Sequence, residues 1–274
     1  RDFLTSTVFE DMMDNLNLTA CGAGGVGSGA LVVLSGGQDS TTCLYWAVAR
    51  WGRENVQALT FDYGQRHRVE LDSAQKIAAL AGVQQTVLPS DTFAAMGGNA
   101  LTDDIAPESG VRADGDAALP NTFVPGRNLI FLTFAAAFAY QKGLAHVVTG
   151  VAQTDYSGYP DCRENTLKSL ELALRLGMDS RVTLHTPLMF MSKAETVALA
   201  QAVGAMDALA LSHTCYNGAV PPCGECAACV LRAQGFAQAG VADPLVVRAA
   251  LNPCVDVEAV VDAVEHDDAQ LTLC

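Results

Sequence analysis

The apolar run Ala30 to Leu34 leads straight into Ser35-Gly36-Gly37-Gln38-Asp39-Ser40-Thr41-Thr42, and Cys43 and Leu44 carry on into a stretch of helical character. A strand, a turn of small residues and a helix start in that order form a cradle for phosphate. Gly36 and Gly37 let the main chain approach an anion closely, Ser35, Ser40, Thr41 and Thr42 offer hydroxyls, and the helix N-terminus adds unpaired N–H groups and a positive dipole end. The turn is not a GxxxxGK[ST] loop, because no lysine follows the glycines. A literal GxGxxG at Gly22, Gly24 and Gly27 precedes the strand instead of following it, so it reads as a flexible lead-in and not as a dinucleotide fingerprint.

Strand-like and helix-like segments alternate after this turn. Strands are expected at Ala30 to Leu34, Val56 to Phe61, Gln85 to Leu88, Ala145 to Thr149 and Arg181 to Thr186. Between and after them, helices are expected up to about Gly52, then at Glu70 to Ala81, Asn128 to Lys142, Glu164 to Leu176 and Ser192 to Val203, the last opened by a capping box of Ser192 and Glu195. This alternation predicts an α/β fold, a doubly wound, mainly parallel sheet with helices on both faces. The segment Ser90 to Pro120, rich in Asp, Gly, Ala and Pro, reads as a long surface excursion that suits a lid. The expected organisation is a Gly-rich lead-in over 1–29, a nucleotide-binding α/β domain over 30–212, a cysteine loop and helix over 213–240 and an extension over 241–274.

A chain of 274 residues, 50% hydrophobic and 17% charged, is large enough to bury a substantial core. Its formal net charge of −14 disfavours a grip on a nucleic-acid backbone, which needs a basic face, so small substrates are expected. The run Leu129 to Tyr140 is too short to span a bilayer, and no secretory leader is apparent, so the expected setting is a reducing cytoplasm with no membrane partner.

Of nine cysteines, Cys215, Cys223, Cys226 and Cys229 stand apart: two CxxC spacings share Cys226, and seven residues separate Cys215 from Cys223. Four thiolates on one loop, with Gly218, Pro221, Pro222 and Gly224 supplying turns, fit a closed tetrahedral zinc site with no position left for water, hence one structural Zn2+ per chain. Cys43 is expected to be inert in the first helix, and Cys162 to neighbour the active site.

Polar clusters fall at the carboxyl ends of the expected strands, at Ser35 to Ser40, Asp62 to His67 and Thr154 to Arg163, where open α/β sheets hold their ligands. Arg66, Arg127 and Lys193 suit neutralisation of a triphosphate or a substrate carboxylate. Asp39 suits either a magnesium ion or orientation of the phosphate turn. Tyr156 and Tyr159 offer rings for a flat heterocycle, and Asp155 and Asp161 offer acceptors for its N–H groups.

The pattern SGGxDS after a strand resembles the PP-loop of ATP pyrophosphatases. Together with FDYGQRH (61–67), NTFVPGRN (121–128), GVAQTDYSGYPDCR (150–163), TPL (186–188), SKAE (192–195) and TCYNG (214–218), it makes residues 30 to 240 closely similar to the 7-cyano-7-deazaguanine synthase family of queuosine-precursor biosynthesis. Two departures are the lead-in and the short, proline-rich Val220-Pro221-Pro222 loop between the first two loop cysteines. The resemblance implies a PP-loop fold and ATP-dependent conversion of 7-carboxy-7-deazaguanine and ammonia into 7-cyano-7-deazaguanine, with Mg2+ accompanying ATP. It implies ATP contacts along Leu34, Ser35, Gly36, Gly37, Gln38, Asp39, Ser40, Thr41, Thr42, Cys43 and Leu44. Catalytic roles fall to Ser35, Asp39, Ser40, Arg127 and Lys193, and heterocycle contacts to Arg66, Asp155, Tyr156, Tyr159, Asp161 and Arg163. A homodimer is left open, as are a tRNA sulfur transferase, an amidotransferase or a nucleotide sensor on the same fold.

Overall fold

The computed structural model describes residues 29–90, 92–96, 122–153 and 159–251. The Gly-rich lead-in, most of the expected lid, residues 154–158 and the chain after 251 lie outside the described residues.

Five strands, β1 (Ala30–Val33), β2 (Val56–Asp62), β3 (Gln84–Pro89), β4 (His146–Val148) and β5 (Thr183–His185), pair in the order β3-β2-β1-β4-β5. Every pairing is parallel. The intervening helices are α1 (Gln38–Trp51), α2 (Val69–Ala81), the short α3 (Thr92–Met96), α4 (Arg127–Gln141) and α5 (Glu164–Gly177). After β5 come α6 (Lys193–Ala202), α7 (Met206–Leu209), α8 (Ala227–Gln238) and α9 (Pro244–Leu251). Each expected strand and helix over the described residues is present. β4 and β5 are shorter than their apolar runs, because β5 is an edge strand and the ladder between the two holds only three residue pairs.

Alternation along β1 builds both layers of the core. Ala30 and Val32 face Leu44, Trp46 and Ala47 of α1, Ile77 of α2 and Leu199 of α6. Leu31 faces the other way, toward Phe131, Leu132 and Ala135 of α4 and Leu167 and Leu174 of α5. Side chains at i and i+2 share a face of a strand, so one central strand anchors helices on both sides. A third cluster joins Val197 and Ala200 of α6, Leu209 of α7 and Phe236 of α8, which docks α8 beside the sheet. The chain runs from β1 outward through β2 and β3, then returns to build β4 and β5 on the other side. The carboxyl ends of β1 and β4 therefore flank the switch point, where such sheets leave a crevice.

Candidate active site

A cavity of about 340 Å³ opens at that switch point. Its floor is the β1–α1 turn. Ser35 Oγ and Ser40 Oγ are 3.0 Å apart, the Ser35 N–H donates to Ser40 Oγ at 3.2 Å, and the Thr41 hydroxyl donates to the Gly37 carbonyl at 2.7 Å. Gly37 is the N-cap of α1 and no side chain caps this end, so the first N–H groups of the helix remain oriented toward the turn. Gly36 has φ +86°, and a Cβ there would strike the Glu70 carbonyl oxygen. Gly150 presses on the start of α1 from the other side, where a Cβ would lie 2.9 Å from the main-chain nitrogen of Ser40. Glycine at both places lets three segments close around the turn.

Lys193, the first residue of α6, places Nζ 2.8 Å from Asp39 Oδ2. Both side chains are mostly shielded from water, which strengthens the pair relative to an exposed one. Asp39 Oδ1 is buried without a hydrogen-bond partner among the described residues, and the same is true of Gln38 Nε2 and Thr214 Oγ1. An unpartnered buried polar atom costs about 1–3 kcal/mol. These three belong to residues that line the cavity, and an acceptor beside donors is the set that a magnesium nucleotide would complete.

One wall is apolar and flat. Phe61 at the end of β2 and Phe131 of α4 stack with centroids 4.2 Å apart and planes within 3°, and both line the cavity. Arg127, the first residue of α4, lies over the Tyr63 ring at 5.9 Å. Burial works against its charge, but Tyr63, Tyr159, Asp161 and Cys162 around it hold its pKa above the usual value. Burial also raises the Tyr63 hydroxyl, against the pull of Arg127. Glu70 faces the same space, and burial lifts its carboxyl to about 7, with Arg127 opposing the rise.

The four-cysteine loop closes one side. The sulfurs of Cys215, Cys223, Cys226 and Cys229 lie within 4.8 Å of one another, and Cys223 and Cys229 are 3.9 Å apart. Ligands around a tetrahedral ion at about 2.3 Å stand about 3.8 Å apart, so the cluster fits one such ion. The Cys226 N–H donates to Cys223 Sγ at 3.4 Å, and N–H groups from Cys226 and Glu225 bring the Cys223 thiol down to about 6, favouring the thiolate that binds metal. The loop is tied to the phosphate turn, since the His213 N–H donates to the Gly36 carbonyl at 2.8 Å, and Thr214 and Tyr216 line the cavity.

Residues 29–240 match the family model described as queuosine biosynthesis protein QueC. The chain belongs to this family. A 7-cyano-7-deazaguanine synthase from Chromobacterium violaceum is 80% identical over 220 residues, spanning 80% of this chain and 93% of its own. One from Laribacter hongkongensis is 70% identical over 222 residues, spanning 81% and 95%. Among solved structures, the NH3-dependent NAD synthetase from Campylobacter jejuni aligns over 73% of this chain and 74% of its own, at 15% identity and a TM-score of 0.42.

The parallel sheet agrees with the expected doubly wound fold, and the structure brings Leu34, Ser35, Gly37 to Ser40, Arg127, Tyr159, Cys162 and Lys193 together around one cavity. Thr41, Thr42 and Cys43 lie behind the turn. Cys43 is fully buried, its thiol raised by burial and by Asp39, as befits an inert packing residue. Tyr159 lines the cavity, and its hydroxyl is 2.6 Å from Thr122 Oγ1. Asp161 is buried, and its Oδ2 accepts the Asn128 N–H at 3.0 Å, so it caps the start of α4 from outside. Arg66 and Arg163 are exposed and do not line the cavity, and Asp155 and Tyr156 lie outside the described residues. Sequence reasoning passed over Phe61, Phe131 and Glu70. The two phenylalanines sit in apolar runs and look like core, and an acidic residue in a first helical turn looks like a favourable partner for the helix dipole. Glu70 lies three residues after the FDYGQRH motif, and that proximity was the available signal.

Proposed function

We propose that the cavity binds ATP with its phosphates on Ser35 to Ser40, and that the chain is an ATP-dependent ligase. It converts 7-carboxy-7-deazaguanine and ammonia into 7-cyano-7-deazaguanine. The observation that carries this reading is the Asp39–Lys193 pair standing at the phosphate turn inside the switch-point cavity of a chain of this family. A carboxylate is a poor electrophile. Attack of its oxygen on the α-phosphorus of ATP gives an acyl-adenylate and pyrophosphate, and ammonia then displaces AMP to leave an amide. A second ATP activates the amide oxygen in the same way, and loss of AMP yields the nitrile.

The N–H groups and hydroxyls of the turn hold the phosphates in line, while Lys193 and Arg127 offset negative charge as it develops on the transferring group. Phe61 and Phe131 give the planar heterocycle a stacking surface, with the Tyr159 ring beside it. Asp155 and Tyr156 complete the heterocycle contacts in this reading, and Asp161 serves by fixing the helix that carries Arg127. Magnesium on ATP would meet Asp39 Oδ1 and would supply charge neutralisation of the phosphates. One structural zinc on the four thiolates would hold residues 213–216 against the phosphate turn. No helix among the described residues is long and apolar enough to cross a membrane. Four reduced thiolates and small soluble substrates fit work in the cytoplasm.

Incubation with ATP, ammonium and 7-carboxy-7-deazaguanine is expected to give the nitrile, with AMP and pyrophosphate formed only when the heterocycle is present. Asp39→Ala and Ser35→Ala should abolish turnover while circular dichroism stays that of the wild type. ATP consumption indifferent to the heterocycle, or full turnover in either variant, would overturn the assignment.

A further inference from the structure

The reaction above takes three protons off nitrogen, one as ammonia becomes the amide and two as the amide becomes the nitrile. Two carboxylates line the cavity among the described residues, Asp39 and Glu70. Asp39 is committed to Lys193. Glu70 stands in the first turn of α2, and its main chain is in contact with the phosphate turn, since a Cβ on Gly36 would strike its carbonyl oxygen. Glu70 thus lines the cavity directly beside the phosphate turn. Arg127 acts on it from the start of α4, Tyr63 shares its surroundings from the loop after β2, and Asp39 and Lys193 line the same cavity.

We propose that Glu70 is the proton acceptor at the substrate nitrogen, a role that rests on the synthase activity proposed above. In the amide stage the ammonia lone pair attacks the carbonyl carbon of the acyl-adenylate. Glu70 takes one proton from the resulting N–H, and the C–O bond breaks with its electron pair leaving on AMP. In the nitrile stage the amide oxygen has displaced pyrophosphate from the second ATP, leaving nitrogen doubly bonded and protonated. Glu70 takes one N–H proton, passes it to solvent and takes the other as the nitrogen lone pair closes the C≡N bond and the second AMP departs. Each AMP carries away one oxygen of the original carboxylate, so atoms and charge balance with no further reactant. Burial brings the carboxyl to about 7, the range in which one group both accepts a proton and gives it up again at neutral pH. The Arg127 guanidinium favours its ionised form, which accepts the first proton.

The test is Glu70→Gln, which keeps shape and removes basicity. Adenylation moves no proton off nitrogen, so ATP–pyrophosphate exchange dependent on 7-carboxy-7-deazaguanine should stay within about threefold of wild type, whereas nitrile formation from acid or amide falls by about 10²–10⁴-fold, the usual worth of a positioned base. Wild-type kcat/KM should rise with pH to a plateau, with an inflection near 7; that limb should vanish in Glu70→Gln, and Glu70→Asp should retain it with partial activity. Nitrile formation within threefold of wild type in Glu70→Gln would overturn the proposal. So would a loss of exchange as deep as the loss of nitrile, or a higher KM for the heterocycle at unchanged kcat. A wild-type protein that shows neither exchange nor nitrile would instead overturn the synthase reading, and this role with it.

Discussion

The His185 ring packs edge-on to Trp51 at 5.2 Å and its Nε2 lies 3.0 Å from His146 Nδ1. Burial first, then His146 and Arg50, bring its pKa from 6.5 down to about 4. The folded value lies below the unfolded one, so the unfolded chain takes up a proton first as pH falls. The stability this ring confers is complete above pH 6.5 and is lost as pH drops toward 4. A gap of this size corresponds to about 3 kcal/mol. Urea melts of wild type and His185→Gln at pH 7 and pH 4.5 should show the wild-type advantage shrinking by about 2 kcal/mol at the lower pH. A constant difference between the two proteins would mean that the ring is not kept neutral by the fold. Asp161 makes the same point without titration: its carboxylate is absorbed in capping α4, which a tyrosine- and aspartate-rich loop read in isolation does not disclose.

Among the elements, the β1–α1 turn and the cysteine loop are both legible in the amino-acid sequence, because each is a short run whose chemistry follows from its spacing. Their mutual contact is not. His213 to Tyr216 lead into the cysteine cluster and at the same time edge the cavity, so a metal on the four sulfurs would brace the phosphate turn as well as the loop. Freshly purified, reduced protein should carry about one zinc per chain, the ligand count of a closed four-thiolate site. Removing the metal with a chelator, or Cys226→Ser, should lower Tm and weaken ATP binding together. Substoichiometric zinc on metal analysis, or Cys226→Ser with unchanged Tm, would refute the site. A cysteine variant that loses stability yet binds ATP like wild type would separate the loop from the turn.

At the scale of the whole molecule, a buried cation adds to the apolar cluster in holding α8 and α9 against the sheet. Arg232 of α8 holds Asp243 through Nε at 2.6 Å and Nη2 at 2.8 Å, Ser212 through Nη1 at 2.8 Å and the Leu209 carbonyl through Nη2 at 3.1 Å. Asp243 in turn accepts the Leu245 N–H at 2.9 Å and so opens α9. Both charged side chains are nearly closed to water, and removing one partner leaves the other uncompensated. Arg232→Met should therefore cost about 3–5 kcal/mol, read as a fall in urea midpoint. Since Leu231 and Arg232 also line the cavity, a drop in ATP affinity should accompany it. Stability within about 1 kcal/mol of wild type would show that the clamp is dispensable, as about 0–1 kcal/mol is what a solvent-screened pair is worth.

Sequence alone dictates the strand-turn-helix at residue 35, the alternation of elements, the capping box at Ser192 and the grouping of four cysteines. All of these are local patterns, in which period, turn chemistry and ligand spacing act within a few residues of one another. Tertiary packing is what makes Lys193 meet Asp39 across 154 positions, sets Asp161 to cap a helix 33 residues earlier, and stacks Phe61 on Phe131. The lifted carboxyl of Glu70 belongs with these. Its pKa depends on how much water the packing of α2, α4 and the phosphate turn leaves around it, and desolvation is a property of the assembled surroundings that no neighbouring residue in the chain encodes.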